Sequence, residues 1–415
     1  MTRHLQKNNQ YTLIIIGGGA SGLAASCIAA ENNIKTLLIE KNNKLGKKLL
    51  ATGNGRCNIL NSGKPLYFGD KAFAEDVLKH CNFNRLTTFF EKLGLVLRQE
   101  DGGRIYPAAN RSDVVLGCLV RKAENGPITI QLDESLVQIS KSGDLWQVKT
   151  DKGIYTCNYL LVAGGSTASP KLGGSATAVD CLLPLGFKFA PFKPALCPIE
   201  CKLGKFKSLK GLRLFAICTL LEINGNKKTA RAASVGEVLF TEYGLSGVCI
   251  MQLAGFVEQE KNYEICLDLS PSLESTAPQM GLINPESIDK NTTFIERLLN
   301  KRSAFLEPDE LLFGALPNNL AKLLLGKSIK QTAINLTQLH FPVLSLRGID
   351  FSQAAKGGIK TQNINPATME SYYKNLYLAG EILNVLGDCG GYNLMFAFAG
   401  GILAAEDIAR KIKDQ

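Results

Sequence analysis

Three glycines spaced Gly17-x-Gly19-x-x-Gly22 separate an apolar run from an alanine-rich one, and no other feature constrains the fold as tightly. Leu13-Ile14-Ile15-Ile16 is β-rich, Leu23 to Ala30 is helical in character, and Lys35 to Ile39 reads as a second strand. Strand, turn, helix and strand in this order make a βαβ unit, the start of an α/β fold with a parallel sheet. Each glycine has its own task. Gly17 permits the tight turn, Gly19 lets backbone approach a pyrophosphate, and Gly22 lets the helix pack closely on the strand. Ala20 and Ser21 open that helix, whose free N–H groups and positive dipole end suit phosphate. Glu40 then ends the second strand at about the ~20-residue offset of a carboxylate that accepts hydrogen bonds from a ribose. A carboxylate there disfavours a 2′-phosphate, which leaves FAD or NAD rather than NADP.

Residues 11–30 carry no charge and match a transmembrane span in length, but the glycines divide them, so no membrane span is expected. The leading MTRHLQKNNQ is polar and lacks the apolar core of a signal peptide. A chain of 415 residues with 45% apolar and 20% charged residues has the material for two or three cored domains, which excludes global disorder. The excess of basic residues, +10, is spread thinly with no basic block, which weighs against nucleic acid as a dedicated partner. His4, His80 and His340 are scattered and the 12 cysteines form no zinc-type ligand set, so no metal is expected. Reduced thiols in a cytoplasmic location are the simplest reading.

Two later segments favour FAD. The stretch from Lys41 through Lys47 to Thr52-Gly53-Asn54-Gly55-Arg56-Cys57-Asn58 is rich in Gly, Asn and Lys, a poor helix or strand suited to wrapping an extended anion with backbone N–H groups. Near the C-terminus, Leu376 to Gly380 reads as a strand ending in the acid Glu381, a candidate for ribityl hydroxyls. Gly390-Gly391-Tyr392-Asn393 then precedes the apolar run from Leu394 to Ala405, a buried helix whose N-terminus would favour the negative charge of a reduced flavin ring. Tyr159 to Ala163 is a buried strand delivering Gly164 and Gly165 to the ligand edge of the sheet.

On these segments, together with Ile105-Tyr106-Pro107, Phe240-Thr241 and Ile364 to Ser371, the chain resembles a bacterial family of NAD(P)/FAD-dependent oxidoreductases that includes aminoacetone-oxidase-like and bile-acid-reductase-like flavoproteins. The resemblance implies a Rossmann-type, glutathione-reductase-like FAD-binding domain interrupted by a β-rich and helical insertion, with backbone near Val137 facing adenine. Boundaries follow at 1–190 and 345–415 for the FAD-binding domain, 191–270 for the β-rich insertion and 271–344 for the helical one. The chain departs from the family at Glu242, where histidine is common, at Val248 in place of proline, and at Met395-Phe396 in place of Gln-Trp.

Flavin carries out hydride or electron transfer itself, so no protein triad is required. Tyr392, Glu242 and Cys57 are the candidate catalytic side chains. The expected cofactor is non-covalent FAD. No second dinucleotide fingerprint exists, so NAD(P)H would dock only transiently as donor. The expected activity is hydride or electron transfer to a small organic substrate. The alternatives are a non-catalytic redox sensor and an FAD-dependent RNA-modifying enzyme.

Overall fold

The runs read as strands are buried along their length, as a parallel sheet covered on both faces requires. In the computed structural model, which describes residues 9–258, 260–274, 280–287 and 291–415, strand β1 (Gln10–Ile16) and strand β2 (Thr36–Ile39) flank helix α1 (Ala20–Glu31). His4 and the rest of the polar leader (1–8) lie outside the described residues.

Packing divides the chain into two compact units, one ending at Pro194 and resuming at Gln353, the other spanning Ala195–Ser352. In the first, β1 pairs in parallel with β2 (Ile15 opposite Leu38) and with the strand Ile154–Val162 (Ile15 opposite Leu161). Ile128–Gln131 extends the parallel sheet beyond β2, and Leu376–Leu378 adds to the far side of Ile154–Val162. The antiparallel strands Leu136–Ser142 and Leu145–Thr150 join Ile154–Val162 in a meander. Its third strand and the glycine-delivering strand are one continuous element, Ile154–Val162.

The final helix, Tyr392–Lys413, lies directly on α1. A Cβ on Gly401 would stand 2.1 Å from the carbonyl oxygen of Ser21, so only glycine lets the two backbones approach this closely. Further along, buried Asp407 accepts from the Tyr377 hydroxyl at 2.8 Å and pairs with Lys411 at 3.2 Å. No described helix is long and apolar enough to cross a membrane.

The second unit is an antiparallel sheet that closes on itself. Its strand order is Arg213–Asn224, Asn262–Asp268, Leu339–Leu346, Ile199–Cys201, Gly244–Ser246 and Lys227–Phe240, which pairs back with the first. Closure leaves no open edge in that ring. Alternate residues of Arg213–Asn224 (Ala216, Cys218 and Leu220) are buried with Ile265, Phe240 and Phe341. Helices Thr292–Arg302, Asn318–Leu324 and Ile329–Thr337 share this core through Leu299, Leu320 and Leu336. The sequence reading draws boundaries at 191, 271 and 345; the packing units change at 195 and 353.

One local sequence pattern is overridden by packing, and one expectation is corrected. Lys205-Phe206-Lys207 alternates as a half-solvated strand would, yet Gly204–Leu209 forms a 3-10 turn. Phe206 there packs edge-on against Phe341 at 5.4 Å and Lys205 donates to the Leu323 carbonyl, contacts that outweigh local alternation. Within the loop following Glu40, Lys47–Ala51 winds into one helical turn.

Candidate functional site

The glycine turn separates two kinds of constraint. Gly17 has φ +101° and a Cβ would stand 2.4 Å from the Ala163 carbonyl oxygen; on Gly22 it would stand 1.9 Å from that of Gly17. The fold itself needs both glycines. Gly19 has nothing within 4 Å of such a Cβ. It is the N-cap of α1, where no side chain caps the helix and the first turn contains no acid. The N-terminal N–H groups, Ala20 and Ser21 among them, therefore lack the side-chain acceptor that usually satisfies such a terminus.

Glu40 is buried and already engaged. One oxygen accepts from the Gly18 N–H at 2.7 Å, and the other from the backbone N–H and side-chain amide of Asn42 at 2.9 and 2.5 Å. It ties the glycine turn to the loop that follows. Beside it opens a cleft of about 270 Å³ lined by Gly17, Lys41, Glu134, Leu136, Gly164 and Thr177. Burial pushes the Lys41 ammonium below its ordinary value, with Glu40 opposing. Val137 is the extra residue of a bulge between Leu136 and Gln138, and its carbonyl accepts from the Cys181 thiol at 3.3 Å. Ala163 donates to the Ile16 carbonyl, Gly164 lies against Ala178, and Gly165 (φ +74°) faces open space.

The loop from Thr52 to Asn58 is compact because its backbone repeatedly enters the left-handed region: φ is +57° at Gly53, +55° at Asn54, +85° at Gly55 and +60° at Cys57. Thr52 closes it by accepting from the Cys57 N–H and donating its hydroxyl to Leu49. Arg56 lies over the Tyr106 ring at 4.2 Å and pairs with Glu100 at 2.6 Å; the Arg56 hydrogen bond, helped by Arg98, holds the Glu100 carboxyl below its ordinary value. Cys57 is fully buried, which pushes its thiol up to about 11. It should therefore resist iodoacetamide near pH 8 in the folded protein and react only on denaturation, which mass spectrometry of the alkylated peptide checks.

This loop meets the C-terminal segment at two points. Lys48, rather than Lys47, places its ammonium 2.5 Å from Glu381, whose other oxygen accepts from the Ala355 N–H at 3.1 Å. Gly380 (φ +80°) would drive a Cβ to 2.3 Å from the Ser21 hydroxyl. At the second point, Gly391 (φ +103°) is the N-cap of the final helix, and a Cβ there would stand 2.9 Å from Asn58 Oδ1. That oxygen is buried with no hydrogen-bond partner among the described residues. An orphaned buried acceptor at a helix N-terminus fits the polar edge of a ligand ring bearing N–H and C=O groups.

Asn393 serves the scaffold: its amide accepts from the Gly387 N–H and donates to the Gly387 carbonyl, both at 2.8 Å. Leu394 is partly buried in the first turn of the helix. Burial pushes the Tyr392 phenol above its ordinary value, Asp388 adding to the effect and Arg104 opposing it. Glu242 stands in the second unit, exposed and 2.7 Å from Lys210, whose hydrogen bond holds its carboxyl below the ordinary range. Sequence reasoning missed Lys48, Asn42 and Glu134. Only the Glu40-to-Asn58 composition pointed toward the first two.

The arrangement has relatives. A profile described as HI0933-like protein Rossmann domain matches residues 11–407. A 3-dehydro-bile acid delta(4,6)-reductase of Clostridium scindens is 29% identical, covering 96% of this chain and 98% of that one. A ribosomal RNA dihydrouridine synthase of Escherichia coli is 25% identical with the same coverage. Among solved structures, a 3-ketosteroid-delta4-(5alpha)-dehydrogenase of Rhodococcus jostii is similar in fold, with TM-score 0.51 at 13% identity over 98% of each chain.

Proposed function

We propose, on the premise that this chain belongs to the HI0933-like protein Rossmann domain family, that it is an FAD-dependent oxidoreductase that reduces a carbonyl-conjugated carbon–carbon double bond in a small organic molecule. The names of the reductase and the dihydrouridine synthase both denote hydrogen added across a ring double bond. The observation that carries the reading is Asn58 Oδ1, a buried acceptor without a partner beside the N-terminus of the final helix. A nicotinamide dinucleotide held by the βαβ unit alone would give that second terminus no task; an isoalloxazine ring reaching it would.

Bound FAD would supply hydride transfer. The chain's own residues do the rest. The turn from Gly17 to Gly22 and the first N–H groups of α1 would hold the pyrophosphate, while Glu40, Lys41 and the cleft lined by Leu136 and Gly164 would take the adenosine half. Lys48 and Glu381 would hold the ribityl chain, together with the Thr52-Gly53-Asn54-Gly55-Arg56-Cys57 loop. Gly391 and Asn58 would hold the polar edge of the ring, with Asn58 Oδ1 available as acceptor for an N–H group. Tyr392 keeps its proton through neutral pH and can give it to substrate carbon, whereas the Lys210 pairing keeps Glu242 ionised. Lys48→Met leaves Glu381 without its cation and should weaken FAD roughly tenfold, read by fluorescence titration of the stripped protein.

Anaerobic mixing with NADH or NADPH tests the whole reading. Bleaching of the flavin, followed by recovery on adding a steroid enone, is the expected result. A protein that stays colourless after added FAD overturns it, and flavin that no enone reoxidises points instead to a redox sensor. Appearance of dihydrouridine in ribosomal RNA would select the nucleic-acid branch of the family. Against that branch, three basic residues of the 202–213 stretch are engaged within the protein: Lys205 with Leu323, Lys210 with Glu242 and Arg213 with Glu237.

A further inference from the structure

A second cavity, about 260 Å³, opens on the second unit, against the outward faces of three neighbouring barrel strands. Ile217 and Leu221 give it an apolar wall, and Cys266, Asp268 and His340 its polar side. Among the described residues no lysine or arginine lines it.

Its polar groups are set to accept. Asp268 is only 7% exposed and receives the Ser270 N–H at 2.8 Å and the Asn291 amide at a long 3.5 Å. An ionised carboxylate has room for about four such bonds, so Asp268 has acceptor capacity left over. Burial pushes its carboxyl up, and the anion Glu274 adds to that while Ser270 and Asn291 oppose it. His340 turns Nδ1 to Glu264 at 3.2 Å, which places the proton on Nδ1 and leaves Nε2 an acceptor that meets only the weak Cys266 thiol donor, at 3.9 Å. Lys228, a cation close enough to act on His340, is spent on Glu264 at 2.6 Å. A buried carboxylate and an imidazole nitrogen met only by a weak thiol donor, beside an apolar wall, suit a compact, multi-donor positive charge.

We propose that this cavity is a binding site for small organic cations, with a primary ammonium group between Asp268 and His340 Nε2 and a short apolar tail along Ile217 and Leu221. The volume, below that of pockets for drug-sized molecules, limits the tail to a few carbons. The site is independent of the flavin chemistry.

Isothermal titration of the flavin-loaded protein with n-butylammonium, and with n-butanol as the neutral isostere, tests it. One saturable equivalent of n-butylammonium and none of n-butanol is expected. Asp268→Asn should weaken the cation roughly thirtyfold, because the ammonium then loses the counter-charge that lines the cavity. Ile217→Trp, which fills the cavity and leaves Asp268 in place, should abolish binding with flavin reduction unchanged. Equal binding of alcohol and amine, undiminished binding to Asp268→Asn, or no saturable heat with the wild-type protein would overturn the proposal. Should Asp268→Asn fail to fold, Ile217→Trp alone decides, since retained cation binding in that variant would also overturn it.

Discussion

Gly19→Val should yield protein that folds as well as the wild type without cofactor but does not retain FAD. The glycine turn separates these two outcomes. At Gly19 a Cβ meets nothing within 4 Å and the backbone is already extended, so the empty fold has no reason to object. The added branches would occupy the approach to the α1 N-terminus, where a pyrophosphate must come within hydrogen-bonding distance of backbone. Activity should fall below detection and the flavin-to-protein ratio should approach zero, while the melting temperature of cofactor-free protein stays put. Gly22→Val is the contrasting case. Its Cβ would overlap the Gly17 carbonyl oxygen at 1.9 Å, a clash with backbone that no side-chain rotation relieves. That variant should lose stability and flavin together. If Gly19→Val binds FAD normally, the cofactor does not lie across this turn.

Tyr392→Phe should slow reoxidation of reduced flavin by an enone about 10²-fold or more, the usual worth of a positioned proton donor. Reduction by NAD(P)H should be unaffected. The ring packs edge-on against Tyr67, a contact phenylalanine preserves, so the variant should fold. With the phenol pushed above its ordinary value, the wild-type rate should stay flat from about pH 6 to 9, since the donor keeps its proton throughout. Stopped-flow absorbance of the two half-reactions separates the effects. An unchanged oxidative half-reaction in Tyr392→Phe would remove the phenol from the chemistry.

The βαβ opening was legible because its signals are local: glycine spacing, a helical period and an acid at a strand end all fall between Leu13 and Glu40. The strand to Leu378 and the buried final helix were legible for the same reason. Contacts set by distant register were not. Nothing near Lys48 says that it, rather than Lys47, faces Glu381, because that depends on the phase of a five-residue helical turn. Nor does any short window reveal that Arg213–Asn224 pairs with strands on both sides, closing a ring. The cavity beside Asp268 is the extreme case, with Cys266 and His340 brought opposite each other by strand pairing across 74 residues.

The close approach of α1 to the final helix has a consequence for synthesis. From Ser21 to Ala29 every residue of α1 is buried, partly beneath a helix synthesised far later, around Gly401. As the nascent chain emerges, that greasy cylinder has to wait until Tyr392–Lys413 has been translated before its lasting neighbour exists. Ribosomes stalled before the codon for Tyr392 should therefore release products that cling to chaperones or aggregate.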